Sequence, residues 1–266
     1  MNTEPGQNGP AHSPYESFEP DTFTRADESS DNEFYMRDRL VSHLDWRALT
    51  TVEEIIGKLI VEESPAILDL MASWDSHLPA TVRPSMVTGL GLNRNELLHN
   101  NALSERVIHD LNAVPRLPFE DAAFDVVLNS LSVDYLVKPF EIFREVGRIL
   151  KKGGLFLVVF SNRMFPQKAV KVWTQSSETE RVGLVRRFFL DSGLFEQPEV
   201  FASRGKPRPA DDKYAYLGIP SDPVYAVYAE RVGAAGQSGR PKLAEPLTRG
   251  FSTAARQGGD RDRTDL

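Results

Sequence analysis

The stretch Ala66-Ile67-Leu68-Asp69-Leu70-Met71-Ala72-Ser73-Trp74-Asp75-Ser76-His77-Leu78-Pro79 constrains this chain more than any other. It opens as a short apolar run carrying one acid, then breaks into small and polar residues and closes on a proline. A run of that length suits a strand buried on both faces. The break suits a loop at the carboxyl edge of a parallel sheet, where α/β folds gather their ligands. No glycine stands in the break, so side chains narrow the space in which its backbone can approach a ligand.

The same pattern repeats downstream, short apolar runs alternating with helical segments, as a doubly wound parallel sheet requires. The first strand spans 67–70 and the second 86–92, closing on Gly89-Leu90-Gly91-Leu92-Asn93. A helix follows over 95–101, then a third strand at Val107-Ile108, just before Asp110. The passage 117–125 turns into a fourth strand, 126–129. Ile142, Phe143, Val146, Ile149 and Leu150 mark one face of a helix over 140–150, with Gly153-Gly154 as its stop. The run 155–160 makes the fifth strand. Helices over 168–173 and 179–192, the latter stopped at Gly193, precede two last strands, 199–203 and 224–230. Upstream, Thr50-Thr51-Val52-Glu53 reads as a capping box that opens a helix through about Glu62. The expected fold is α/β: a doubly wound, seven-stranded, mostly parallel sheet with N-terminal helices.

Charge divides the chain of 266 residues. Residues 1–34 hold eight acids against one base, Arg25, and account for the net charge of −7; the remainder carries 30 acids and 30 bases. Residues 1–33, poor in aliphatics, are expected to be a disordered acidic tail. Residues 34–232 form the domain, with a short helix or lid between Phe34 and Trp46, and the Gly-, Ser-, Arg- and Asp-rich residues 233–266 form a second disordered tail. There are no cysteines, which excludes disulfides, thiolate metal sites and cysteine nucleophiles. No basic face points to nucleic acid, and no apolar run is long enough to span a bilayer. A cytoplasmic protein without a metal site is the expectation.

In its middle the chain resembles the class I S-adenosylmethionine-dependent methyltransferases, in particular those like the ubiquinone and menaquinone C-methyltransferases. Leu117-Pro118-Phe119 with Phe124-Asp125-Val126-Val127 is similar to the family's "LPF…FDVV" passage. Arg148-Ile149-Leu150-Lys151-Lys152-Gly153-Gly154 is similar to its "RVLKPGG", with Lys152 in place of proline. The resemblance covers roughly residues 50–231. It implies a Rossmann-like fold, S-adenosylmethionine as cofactor and direct methyl transfer to an acceptor, expected here to be a small molecule. The acid-x-Gly-x-Gly of the family's first motif falls on Asp69, with Met71 and Ser73 at glycine positions and Ala72 between them. Gly91 stands where the second strand usually ends in a ribose-binding acid, and Asn93 or Glu96 offers a polar substitute. Asp110-Leu111 matches the adenine-contacting pair, and Asn129 opens the fourth strand toward the cofactor.

Each assignment has a plainer counterpart. Asp69 and Asp110 also suit turns, Asn93 and Asn95 suit helix caps, and Gly89 and Gly91 suit close strand packing. His77 is a candidate base or acceptor-orienting group, but equally a structural loop residue. Arg163, after the fifth strand, suits an anionic acceptor as well as a tie within its loop. Two other functions are weighed. A fold that lost its cofactor pocket would serve as a catalytically inactive binding or scaffold protein. A nicotinamide oxidoreductase requires Gly-x-Gly-x-x-Gly after the first strand, and that spacing is absent.

Overall fold

A computed structural model describes residues 13–233 and 240–243; the expectations for residues 1–12 and for most of the C-terminal tail lie outside the described residues. In chain order the elements are α1 (Asp31–Tyr35), α2 (Trp46–Leu59), β1 (Ala66–Leu70), β2 (Met86–Gly91), α3 (Arg94–His99), β3 (Glu105–Ile108), β4 (Phe124–Ser130), α4 (Pro139–Ile149), β5 (Leu150–Phe160), α5 (Lys171–Gln175), α6 (Glu178–Ser192), β6 (Glu199–Ser203) and β7 (Val224–Glu230). The strands form one sheet in the order β3-β2-β1-β4-β5-β7-β6. Every neighbouring pair from β3 to β5 is parallel, and β7 runs antiparallel to both β5 and β6. The seven-stranded, mostly parallel sheet is thus as expected.

The two faces are covered differently. Phe140, Phe143 and Val146 of α4 and Val185, Phe188 and Phe189 of α6 pack on one face, around Phe156 and Val158 of β5. Full burial of each such side chain contributes roughly 1.5–3 kcal/mol. The opposite face is closed mainly by α2, whose Val52, Ile55, Ile56 and Leu59 are fully buried against Ile67, Val126, Leu157 and Ala226. Two parallel crossovers, residues 71–85 between β1 and β2 and 109–123 between β3 and β4, contain no helix. Long unstructured crossovers of this kind are frequently binding loops.

The start of α2 differs from expectation. It begins at Trp46, where the Asp45 carboxylate accepts hydrogen bonds from the Arg47 and Ala48 amides at 3.0 and 3.1 Å. Thr50 and Thr51 lie inside the helix and donate to the carbonyls of Trp46 and Arg47, four residues back. The stop at Gly153-Gly154 is also corrected. α4 ends at Ile149 and the chain enters β5 at once. Gly153 takes a positive φ, and a Cβ on Gly154 would sit 2.8 Å from the Asp125 carbonyl, beside the register shift between β4 and β5. The glycines serve a strand irregularity, not a helix cap.

The largest departure is in the acidic segment. Residues 13–33, expected to lack structure, join the expected lid at 34–45 in one strap across the domain. Tyr15 and Phe23 pack edge-on to Phe140, at ring-centre distances of 4.8 and 6.0 Å. Arg25 bonds both Asp31 carboxylate oxygens. Lys168, fully buried, donates to the Ser29 carbonyl at 2.6 Å and lies 3.3 Å from Asp31. Composition concealed this because a few aromatic anchors and one buried cation offset the ordering cost that the acids and small residues impose.

Candidate functional site

A cavity of about 530 Å³ opens at the carboxyl ends of β1, β2 and β4, where the strand order reverses between β1 and β4. That switch point is where open α/β sheets bind ligands, and the volume is in the usual range for such sites. The floor is made by Met71 to Asp75 and Leu90 to Asn93, one side by Asp110 to Asn112 and Ser130 to Ser132. Tyr35, Arg39 and Val41 to Asp45 of the strap form the roof. Arg163 to Phe165 and parts of the segment 208–214 complete the wall.

The loop after β1 keeps a glycine-like path without glycine. Met71 takes φ +62°, a left-handed conformation that costs a non-glycine residue roughly 1–2 kcal/mol. The turn lets the Ala72 amide donate to the Leu90 carbonyl at 2.8 Å. It also brings the Ala72 carbonyl against Gly91, where an added Cβ would lie 2.3 Å away. Gly91 is therefore explained by a crossing backbone that leaves no room for an acid. Gly89 is explained alike, by Leu103 packed on it. Met71, His77 and Leu131, three of the four non-glycine residues at positive φ among the described residues, all line the cavity. Such concentrated strain is characteristic of binding and catalytic sites.

Asp69 is buried beneath this loop and accepts from the Ser76 hydroxyl at 2.6 Å. The Asn100 amide donates to that hydroxyl and to the Ser73 carbonyl, each at 2.9 Å, while the Ser73 hydroxyl donates to Glu96 at 2.6 Å. Burial pushes the Asp69 carboxyl up to about 6. His77 takes φ +54° and its Nδ1 lies 3.1 Å from Asp75. Burial alone would pull its pKa down, but the Asp75 carboxylate outweighs that and raises it. Asp75 in turn is held below the usual carboxylate range, chiefly by its bond to His77.

The remaining sequence candidates divide. Asp110 and Leu111 line the cavity. Asp110 Oδ1 closes its own turn by accepting from the Asn112 and Ala113 amides, and Oδ2 accepts from the Asn32 amide at 3.5 Å, its one partner among the described residues. Asn93 is the N-cap of α3, and its amide donates to the Tyr35 carbonyl and to Asp38. Asn129 lies under the cavity and ties the Leu70 carbonyl to the Ser132 hydroxyl; Ser130, Leu131 and Ser132 take the lining positions. Arg163 is bonded to Asp222 at 2.9–3.0 Å. Asp222 also binds Arg208, and although burial opposes it, these two cations hold its carboxyl below the ordinary range.

Sequence reading missed most of the roof. Tyr35 and Arg39 sit in a segment without helical or strand periodicity, and only the cluster Phe34-Tyr35 signalled an ordered lid. Arg39 stacks across Phe34 and Phe165 at 4.6 and 5.2 Å from the ring centres, and its amide donates to Glu96. The Tyr35 hydroxyl is buried without a hydrogen-bond partner. Among the described residues no helix is long and apolar enough to cross a membrane, and no group of three or more potential metal ligands gathers.

Residues 76–158 match the family model described as a methyltransferase domain. Over 88 residues the chain is 42% identical to a fatty-acid O-methyltransferase of Mycolicibacterium smegmatis, covering 31% of each protein. Over 129 residues it is 28% identical to a malonyl-[acyl-carrier protein] O-methyltransferase of Marinomonas sp., covering 45% of this chain and 46% of that one. The chain thus matches less than half the length of these curated relatives. Its fold is similar to a structure of the Haloferax volcanii Trm112 methyltransferase activator in complex with a methyltransferase. That likeness has TM-score 0.51 and 18% identity, and covers 72% of this chain and 92% of that one. The matched segment, beginning within the loop after β1, is similar to a methyltransferase domain, and the seven-stranded sheet gives the chain a Rossmann-like methyltransferase fold.

Proposed function

We propose that the protein is a methyltransferase that uses S-adenosylmethionine and transfers the methyl group directly to a small-molecule acceptor held beneath the strap. The observation that carries this reading is the cavity of about 530 Å³ at the switch point of a sheet with this strand order. The residues present fit the cofactor. The left-handed turn at Met71 preserves the loop path, Leu90 and Leu111 supply apolar surface, and Asp110 Oδ2 is bound only weakly. Met71 to Ser73, Leu90, Gly91, Asp110 and Leu111 would hold it. When bound, the cofactor supplies a methyl group made electrophilic by its sulfonium.

The chain's own contribution is orientation and the exclusion of water, which require a closed and rigid cleft. The strap supplies the closure through Asp38, which bonds Asn93 and Asn95, and through the Val41 carbonyl, which accepts from Trp74. His77, shifted by Asp75 toward the imidazolium, suits orienting an anionic acceptor better than taking a proton. The two curated relatives are named for O-methylation of fatty acids and of malonyl-[acyl-carrier protein], and both names support an acceptor other than nucleic acid. The rival reading, a scaffold that lost its pocket, finds no support in a chain whose strained loops still line an open cavity.

Calorimetric titration of the full chain with S-adenosylmethionine and S-adenosylhomocysteine tests the proposal, beside Asp110→Ala. Micromolar binding, weakened tenfold or more in the variant, is expected. No heat and no thermal shift at millimolar ligand would overturn it.

A further inference from the structure

We propose that His43 is the general base of the transfer, taking the proton of an acceptor hydroxyl carried on a flat ring against the aromatic wall of the cavity. This rests on the methyltransferase reading and assigns a catalytic residue and an acceptor class to the same cavity. Three histidines line it, and two of them are engaged. His109 Nε2 lies 2.8 Å from the Val114 carbonyl, and His77 Nδ1 lies 3.1 Å from Asp75. The His43 ring, carried in the roof by the strap, makes no hydrogen bond among the described residues. The carboxylates offer no better base. Those of the cavity that are paired with no cation, Asp69, Glu96 and Asp110, accept hydrogen bonds at the end assigned to the cofactor. At the acceptor end, His43 is the group with ring nitrogens free to take a proton.

The wall beside it is a run of rings. Tyr35 lies 6.4 Å from Tyr135, Tyr135 stacks on Phe165 at 6.1 Å, and Phe165 meets the edge of His43 at 5.5 Å. All four line the cavity. Such a wall receives a flat ring, and its last member puts an imidazole beside whatever substituent that ring carries. The charges that act on His43 are those of Glu96, Arg39 and His77. Partial desolvation pulls its pKa below the usual histidine value; Glu96 opposes this, while Arg39 and His77 add to it. His77 is shifted the opposite way: desolvation would lower it, but Asp75 raises it. Two titratable groups pushed apart in this manner suit a neutral base and a charged partner at one site. The acceptor oxygen forms the new C–O bond with its lone pair while the carbon–sulfur pair stays on sulfur. The hydroxyl proton passes to the His43 ring, and the His77 imidazolium favours the negative charge that builds on the oxygen. The product is a methyl ether. His43 is exposed, so the proton it takes can go on to water.

Titration of the full chain with 4-nitrophenol and with 4-nitroanisole, its methylated form, under saturating S-adenosylhomocysteine decides the matter. The phenol is expected to bind at least tenfold more tightly than the ether. Its phenolate absorbance should appear on binding at a pH below the pKa of the free phenol, because His43 holds the proton. His43→Gln, which can still form a hydrogen bond but cannot take a proton, should abolish that absorbance and lower the affinity for the phenol several-fold. His77→Gln should weaken the absorbance without abolishing it. Equal affinity for phenol and ether, or an unchanged phenolate signal in His43→Gln, would overturn the proposal. So would the absence of phenol binding to a protein that binds S-adenosylhomocysteine, and the cofactor reading would then stand without it. If His43→Gln does not fold, the comparison of phenol with ether and the phenolate signal of the unaltered chain still separate the outcomes.

Discussion

At the scale of single residues, Gly91 and Asp69 show how a departure from a family pattern acquires a physical reason. An acid cannot be restored at Gly91, because even one added carbon meets the Ala72 carbonyl at 2.3 Å and backbone must move to relieve it. Gly91→Ala is therefore expected to cost about 2 kcal/mol or more, measured as a lower urea midpoint with the m-value unchanged. Asp69 makes a prediction about pH. Its carboxyl, near 3.8 when unfolded, is pushed up to about 6 in the folded protein by burial. Between those values the folded state holds the proton that the unfolded state has lost. Its contribution is present below pH 4 and is lost as pH rises through 6, an effect on the order of 3 kcal/mol. Asp69→Asn keeps an acceptor for Ser76 and removes the titration. Urea unfolding from pH 4 to 7 should show the variant gaining steadily on the wild type, and a constant difference would refute the assignment.

At the scale of elements, the strap is the part whose role depends most on a few buried contacts. Lys168 holds it from the domain side through the Ser29 carbonyl and Asp31. Lys168→Ala should cost on the order of 3 kcal/mol locally, as removal of one partner from a buried pair does. Amide exchange in residues 25–35 should quicken while the amides of β4 and β5 hold their rates; a uniform change would show that the strap does not open independently. The strands were legible because each carries a compact apolar run, and α4 because its apolar face repeats at helical spacing. The strap was not legible. Lys168 satisfies itself partly on backbone carbonyls, which leave no trace in side-chain pattern, and Tyr15, Phe18 and Phe23 follow no period. Asp45 was likewise overlooked as a cap because Thr50-Thr51 offered a stronger local signal, one that the helix absorbs through bonds to the preceding turn. The cavity shared this fate: its floor follows from strand ends, its roof only from tertiary packing.

At the scale of the molecule, the sheet has a firm side and a soft side. β4, β5 and β7 lie between α2 on one face and α4 with α6 on the other, and nearly all their residues are buried. β3 is an edge strand of four residues, three of them exposed, and neither the crossover into its neighbour β2, 71–85, nor the one leaving β3, 109–123, contains a helix. Local opening follows buried apolar contact, so stability should fall across the sheet from β5 toward β3. The cavity sits on that slope, with its floor on β1 and β2 and its far wall on the firm side. A ligand bridging the two should add its binding free energy mainly to the soft half, because only there is the open state populated enough to be suppressed. Native-state amide exchange tests this directly. Without ligand, β3 and the end of β2 should exchange first and β5 last. With saturating S-adenosylhomocysteine, protection should rise most in β2 and in the loop from Met71 to His77, and least in β5. Equal protection gained throughout the sheet would mean that the molecule opens only as a whole, and that the cavity draws no flexibility from its helix-poor crossovers.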